Sequence, residues 1–125
     1  MKMKNMMVVI LSVVILFYGN VCLAQSAKDA VRALQRLQAR VEAGISYRDY
    51  APALGDALFE VKLFLRSPEA KTKPALAAAI SKAMEYYQTA GEMWTSSLKA
   101  PALGVQISWE KAGQELEKAI ALLSH

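Results

Sequence analysis

The chain opens with an almost unbroken apolar run from Met6 to Tyr18, then settles into apolar positions that recur every three or four residues. Ala27, Ala30, Leu34, Leu37 and Val41 are the first such set. At 3.6 residues per turn these positions share one side of a helix, so the spacing predicts a helix with one buried face. Arg32, Arg36, Arg40 and Glu42 fall off that face. Ser26, with Asp29 three residues later, reads as a capping-box-like start, and Gly44 as a C-terminal cap.

Ser46 and Asp49 repeat the capping pattern. Tyr47, Tyr50, Leu54, Ala57, Val61 and Phe64 form a second stripe, widened by Leu58 and Leu65. Pro52 leaves two starts open, at Tyr47 with a bend or near Ala51, because an interior proline costs about 3 kcal/mol. The continuous stripe favours the early start. Ser67, Pro68, Lys73 and Pro74 bound an expected loop. A third segment, from about Ala75 to Ser97, carries Leu76, Ile80, Ala83, Tyr87, Ala90 and Trp94. Lys99, Ala100, Pro101 and Gly104 make the next expected connection. Val105, Trp109, Ala112, Leu116, Ala119 and Leu123 then form a fourth stripe, with Ile120 beside it. No segment shows the period-two pattern of a strand. Four stripes with short connections predict an all-α fold, an antiparallel up-down-up-down four-helix bundle preceded by an N-terminal signal peptide.

The signal reading rests on Lys2 and Lys4, the apolar run, and the small residues Cys22 and Ala24 before Gln25. The run is too short to span a membrane comfortably, which takes about 20 residues. Val21 before Cys22 argues against lipidation, which wants a small residue there. The expected division is therefore a signal peptide over 1–24 and a helical domain over 25–125. The expected location is periplasmic or secreted after cleavage near Ala24, with a membrane role only if the segment is retained. Cleavage leaves 101 of 125 residues, enough for one modest core. It also changes the chemistry. Cys22, the chain's single cysteine, goes with the signal, and without Lys2 and Lys4 the net charge falls from +4 to +2. No basic run remains, and export argues against nucleic acid as a partner.

The residues needed for most catalysis are missing. The single histidine, His125, is the last residue, so no histidine-assisted serine or cysteine is expected. There is no Cys-x-x-Cys-His for haem and no Glu-x-x-His pair for a di-iron centre. The expectation is a non-enzyme without cofactor or resident metal. Met84 and Met93, soft ligands suited to Cu(I), and carboxylates such as Glu92 and Glu110 keep a metal- or cofactor-handling protein open as an alternative.

Helix direction gathers the large aromatics. In an up-down order, Tyr47 and Tyr50 begin the second helix, Trp94 ends the third and Trp109 begins the fourth, all at one end. Arg48 and Lys99 are expected on its rim. Gly55, Gly91 and Gly113 lie inside three helices at a similar depth, each costing about 1 kcal/mol relative to alanine. Either they make room for the tryptophans to pack on backbone, or they open a small cavity for an apolar ligand with the Tyr47 and Tyr50 hydroxyls as polar handles. Tyr47, Tyr50, Trp94, Trp109 and Arg48 are the expected ligand- or partner-binding residues.

Gly44-Ile45-Ser46-Tyr47-Arg48-Asp49-Tyr50, then Asp56-Ala57 with Glu60-Val61, and Ala83-Met84 with Tyr87, Ala90 and Trp94 resemble a loose group of small exported bacterial helical proteins. Their shared pattern is Gly-x-x-Tyr-x-x-Tyr followed by Tyr-x-x-Ala-x-x-x-Trp. The resemblance implies an exported helical bundle and carries no activity with it. The expected function is thus a non-enzymatic binding protein of the bacterial envelope, taking an unidentified protein or a small apolar ligand at its aromatic end. A membrane-tethered interaction module that keeps residues 1–24 is a further alternative. Monomer and homodimer both remain compatible with the alanine-rich faces.

Overall fold

The computed structural model describes residues 26–94 and 101–124. The expected signal segment over 1–24, Lys99 and His125 lie outside the described residues, as does the predicted extension of the third helix to Ser97. Among the described residues the chain is all-helical, with no strand. The helices are α1 (residues 26–43), α2 (Tyr47–Arg66), α3 (Pro68–Thr72), α4 (Pro74–Met93) and α5 (Leu103–Leu123). None is long and apolar enough to cross a membrane.

Local sequence explains most boundaries. Gly44 adopts φ +92°, a conformation that side chains resist, and its N–H reaches the Val41 carbonyl at 3.2 Å. Ser46 caps α2: its hydroxyl accepts from the Asp49 amide at 3.2 Å and donates to the Asp49 carboxylate at 3.0 Å. The helix therefore takes the early start at Tyr47, with Pro52 inside it. A cap of this kind contributes about 1 kcal/mol, a partial offset to the proline.

Three boundaries differ from the sequence reading. The expected loop between Ser67 and Pro74 contains α3, because Pro68 at the first helical position has its φ already set for a helix and needs no intrahelical partner. The third long helix ends at Met93, and Trp94 leaves it in an extended conformation (φ −80°, ψ 117°) with its N–H on the Ala90 carbonyl at 3.0 Å. Gly104 is not part of a connection. It lies in the first turn of α5, where a Cβ would stand 3.5 Å from Met93 Sδ, so α4 and α5 meet closely there.

The predicted stripes form the core. Leu34, Leu37, Val61, Phe64, Leu76, Ile80, Tyr87, Val105 and Leu116 are the largest fully buried side chains. Each contributes about 1.5–3 kcal/mol on burial. Neighbours can be read from side chains. Gln38 of α1 meets Gly113 of α5, and Val31 lies by Ile120, so these two helices run antiparallel. Met93 meets Gly104 and Lys111 sits 5.9 Å over the Tyr86 ring, which makes α4 and α5 antiparallel too. Tyr50 and Leu54 of α2 press on Gly91 of α4. α1 and α2 share a groove edged by Leu37 and Ala53.

Candidate functional site at the aromatic end

Four rings from α2, α5 and the end of α4 meet. Trp94 is their hub, 5.5 Å from Tyr47 at 81°, 5.5 Å from Trp109 at 83° and 5.7 Å from Tyr50 at 55°. Tyr50 and Trp109 close the set at 5.6 Å. Near-perpendicular pairs set the positive edge of one ring against the negative face of the next, worth about 0.5–1.5 kcal/mol per pair beyond burial. Trp94 reaches this position because it has left α4, which frees its side chain from the direction a further helical turn would impose. Tyr47 and Tyr50 reach it because α2 starts early enough to place both on one helical face.

The four rings differ in their access to solvent. Tyr50 and Trp94 are buried, Trp109 is half-buried and Tyr47 is 41% exposed. Arg48, expected on the rim, is exposed in the first turn of α2 and forms no ion pair or ring contact among the described residues. The structure therefore brings together four of the five sequence-predicted site residues, and Arg48 stands apart from the rings.

Polar groups within the cluster are mostly satisfied internally. The Tyr50 hydroxyl donates to the Tyr87 carbonyl at 2.7 Å and accepts from Trp109 Nε1 at 3.0 Å. The expectation that Tyr50 offers a polar handle to a ligand is thus corrected: its hydroxyl is already engaged on both sides, tying α2 to α4 and α5. Burial pushes the Tyr50 phenol up to about 12, and the hydrogen bond from Trp109 opposes part of that shift. Trp94 Nε1 is buried with no hydrogen-bond partner. An orphaned donor of this kind costs about 1–3 kcal/mol.

The glycines also need correcting, since none of the three makes room for a tryptophan. A Cβ at Gly91 would lie 3.3 Å from both Leu54 Cδ2 and Tyr50 Cε1. Gly91 thus lets the Tyr50 ring approach α4 closely enough for its hydroxyl to reach the Tyr87 carbonyl one turn earlier. A Cβ at Gly113 would lie 3.1 Å from the Gln38 side-chain amide nitrogen, and Gly55 faces open space. One step past Leu54, Gly55 is rotated about 100° away from the core face. These surroundings predict opposite responses to alanine. Gly55→Ala gains about 1 kcal/mol from helix propensity alone. Gly91→Ala loses about 1 kcal/mol net, because Tyr50 is held by two hydrogen bonds and cannot give way, so overpacking of about 1–3 kcal/mol exceeds the same propensity gain. Urea unfolding of the two variants checks both signs.

The metal alternative finds no assembled donor set among the described residues: no group of three or more histidine, cysteine, aspartate or glutamate side chains is placed to hold an ion. Met84 is buried, Met93 is 41% exposed, and nine residues of helix separate them by about 13 Å.

Two features escaped the sequence reading. Ser108 and Glu69 are buried polar residues, and Glu69 Oε2 has no partner although Oε1 meets Lys73 Nζ at 3.3 Å. A surface groove also runs between α1 and α5, with Trp109 and Tyr87 in its lining beside Glu42, Glu110 and Glu117. Its only sequence signal is the helical phase that puts Glu110, Gly113 and Glu117 near one another. The chain matches no known family model, no curated protein and no solved structure.

Proposed function

We propose that this protein is an exported, non-enzymatic binding protein of the bacterial envelope, its four long helices forming an up-down-up-down bundle that engages a partner or small ligand at the aromatic end. The observation that carries this reading is a fixed ring cluster with apolar side chains left in solvent around it. Tyr47 is 41% exposed, and the exposed residues Met93, Leu103 and Ile107 border the same junction of α4 and α5. Core aromatics hold Tyr47 in place through Trp94, so its exposed face loses little conformational freedom on binding. The basic start, short apolar run and small residues near Ala24 support export. The scarcity of histidine and cysteine supports a binding role over catalysis.

Native mass spectrometry of the protein isolated from its own cells tests the reading. The expected result is an N-terminus at Gln25 and a retained partner or ligand. Tyr47→Ala lowers the retained fraction by about tenfold, as expected for an aromatic anchor worth more than 1 kcal/mol. An intact N-terminus at Met1, or a bound species indifferent to Tyr47→Ala, overturns it.

A further inference from the structure

The groove between α1 and α5 differs in chemistry from the apolar end beside it. It encloses about 340 Å³, at the small end of the range for small-molecule sites. Gly113 contributes no side chain to its wall, and the Gln38 amide packs where one would stand. Glu42 stands on the α1 side, and Glu110 and Glu117 on the α5 side, all three exposed and none in an ion pair among the described residues. Three uncompensated carboxylates around one small concavity are unusual in a chain whose overall balance is basic.

The lining supplies a second, independent observation. Tyr87 is only 1% exposed and lines the groove, and its hydroxyl makes no hydrogen bond to the protein among the described residues. Its backbone carbonyl is engaged by Tyr50, but its phenol is not. Unlike Trp94 Nε1, this hydroxyl is not sealed from solvent, so the groove is the side on which it can take a partner. Burial raises the Tyr87 phenol well above its ordinary range, and nearby Tyr50 and Glu42 raise it further, so it stays a neutral group able both to donate and to accept. Trp109 adds an indole whose N–H is already committed to Tyr50, leaving its ring as the part able to meet a ligand.

We infer that this groove binds an aliphatic amine, its ammonium groups held by Glu42, Glu110 and Glu117, with the Tyr87 hydroxyl accepting from one of them and the Trp109 ring against the alkyl chain. The inference goes beyond the proposed function, placing a second site beside the aromatic end. Each element has a physical reason. Carboxylates select positive charge, an ammonium is the donor that an unpaired phenol oxygen can accept, and an indole ring favours both alkyl chains and cations. An anion would meet three carboxylates, and a neutral apolar molecule would leave them and the phenol unanswered. A volume this small suits a short chain.

The probe is 1,5-diaminopentane, titrated into the full-length protein at low ionic strength and followed by tryptophan emission and by calorimetry. The expected result is saturable binding at millimolar concentration or below, with no response to 1,5-pentanediol or to glutarate. Tyr87→Phe keeps the ring and loses only a hydroxyl with no partner, so it folds normally and binds about tenfold more weakly. The double variant Glu42→Gln, Glu117→Gln removes two surface charges and loses more. Equal response to the diol, unchanged binding in both variants, or no saturable response to the diamine overturns the inference. A partner retained through Tyr47 alongside no diamine response rejects the amine site alone. Diamine binding that depends on Tyr87 in a protein whose retained species ignores Tyr47 supports the amine site and rejects the aromatic-end reading.

Discussion

Trp94→Ala lowers the unfolding free energy by about 3–5 kcal/mol, the cost of deleting a fully buried tryptophan. Total stabilities of small domains run to about 5–15 kcal/mol, so the loss is a large part of the whole. The melting midpoint drops by on the order of 20 °C in a domain of this size. The reason lies in the position of Trp94 at the hub of the cluster, within 5.7 Å of three other rings and 2% exposed. Trp94→Phe should cost far less. It keeps an aromatic ring at the hub and removes an indole N–H that has no partner, so the smaller ring's lost contacts are set against relief of an orphaned donor. Urea unfolding followed by far-ultraviolet circular dichroism separates the two variants. A Trp94→Ala protein within 1 kcal/mol of the parent, on the scale of a surface substitution, would contradict the hub role.

Alkaline titration produces the second large effect. In the unfolded chain Tyr50 ionises near its ordinary value of 10, and in the fold burial pushes it up to about 12. The fold therefore holds Tyr50 neutral where the unfolded chain would ionise it. This contribution is fully present below pH 10 and is lost as pH rises through about 12. Two units correspond to roughly 3 kcal/mol from Tyr50, and Tyr87, raised by the same burial and by Tyr50 and Glu42, adds to the loss over the same rise. Deprotonation would also remove the proton that Tyr50 donates to the Tyr87 carbonyl. Urea midpoints collected across this range should hold steady and then fall steeply, and Tyr50→Phe should flatten the fall while lowering the neutral-pH plateau. A profile unchanged up to pH 12 would show that the phenol is far less confined than its surroundings imply.

Helical periodicity made the core legible in the sequence. Leu34, Leu37, Ala57, Val61, Phe64, Leu76, Ile80, Tyr87, Ala112 and Leu116 occupy stripe positions and are buried. Capping chemistry fixed the start of α2, since Ser46 and Asp49 lie at the spacing that lets hydroxyl and amide meet. The ring cluster was legible at the level of elements, because the order of starts and ends decides which aromatics share one end. Its internal chemistry was not. Whether Tyr50 offers its hydroxyl outward or spends it on Tyr87 and Trp109 depends on the separation of α2 and α4, and that separation is set by a glycine contact that periodicity cannot measure. The roles of the glycines failed for a related reason. Sequence gave their depth along each helix, whereas their function depends on rotation about the axis: Gly91 faces Tyr50 and Gly55, on α2, faces open space. α3 was missed because five residues are too few to show a period. The groove escaped because its residues come from α1, α4 and α5, and nothing local records that Glu42 and Glu117 line one groove.

The antiparallel pairing of α1 with α5 has a practical consequence. Lys28 and Val31 near the start of the described chain lie beside Ile120, Leu123 and Ser124 near its finish. Both ends of the described chain therefore emerge together, while the rings gather about 27 Å away at the far end of the 18-residue α1. A fluorophore, bead or sensor chip coupled at either extremity leaves Tyr47 and the mouth of the groove unobstructed. The described helices thus form a short post that carries the ring cluster at the end opposite both of these attachment points.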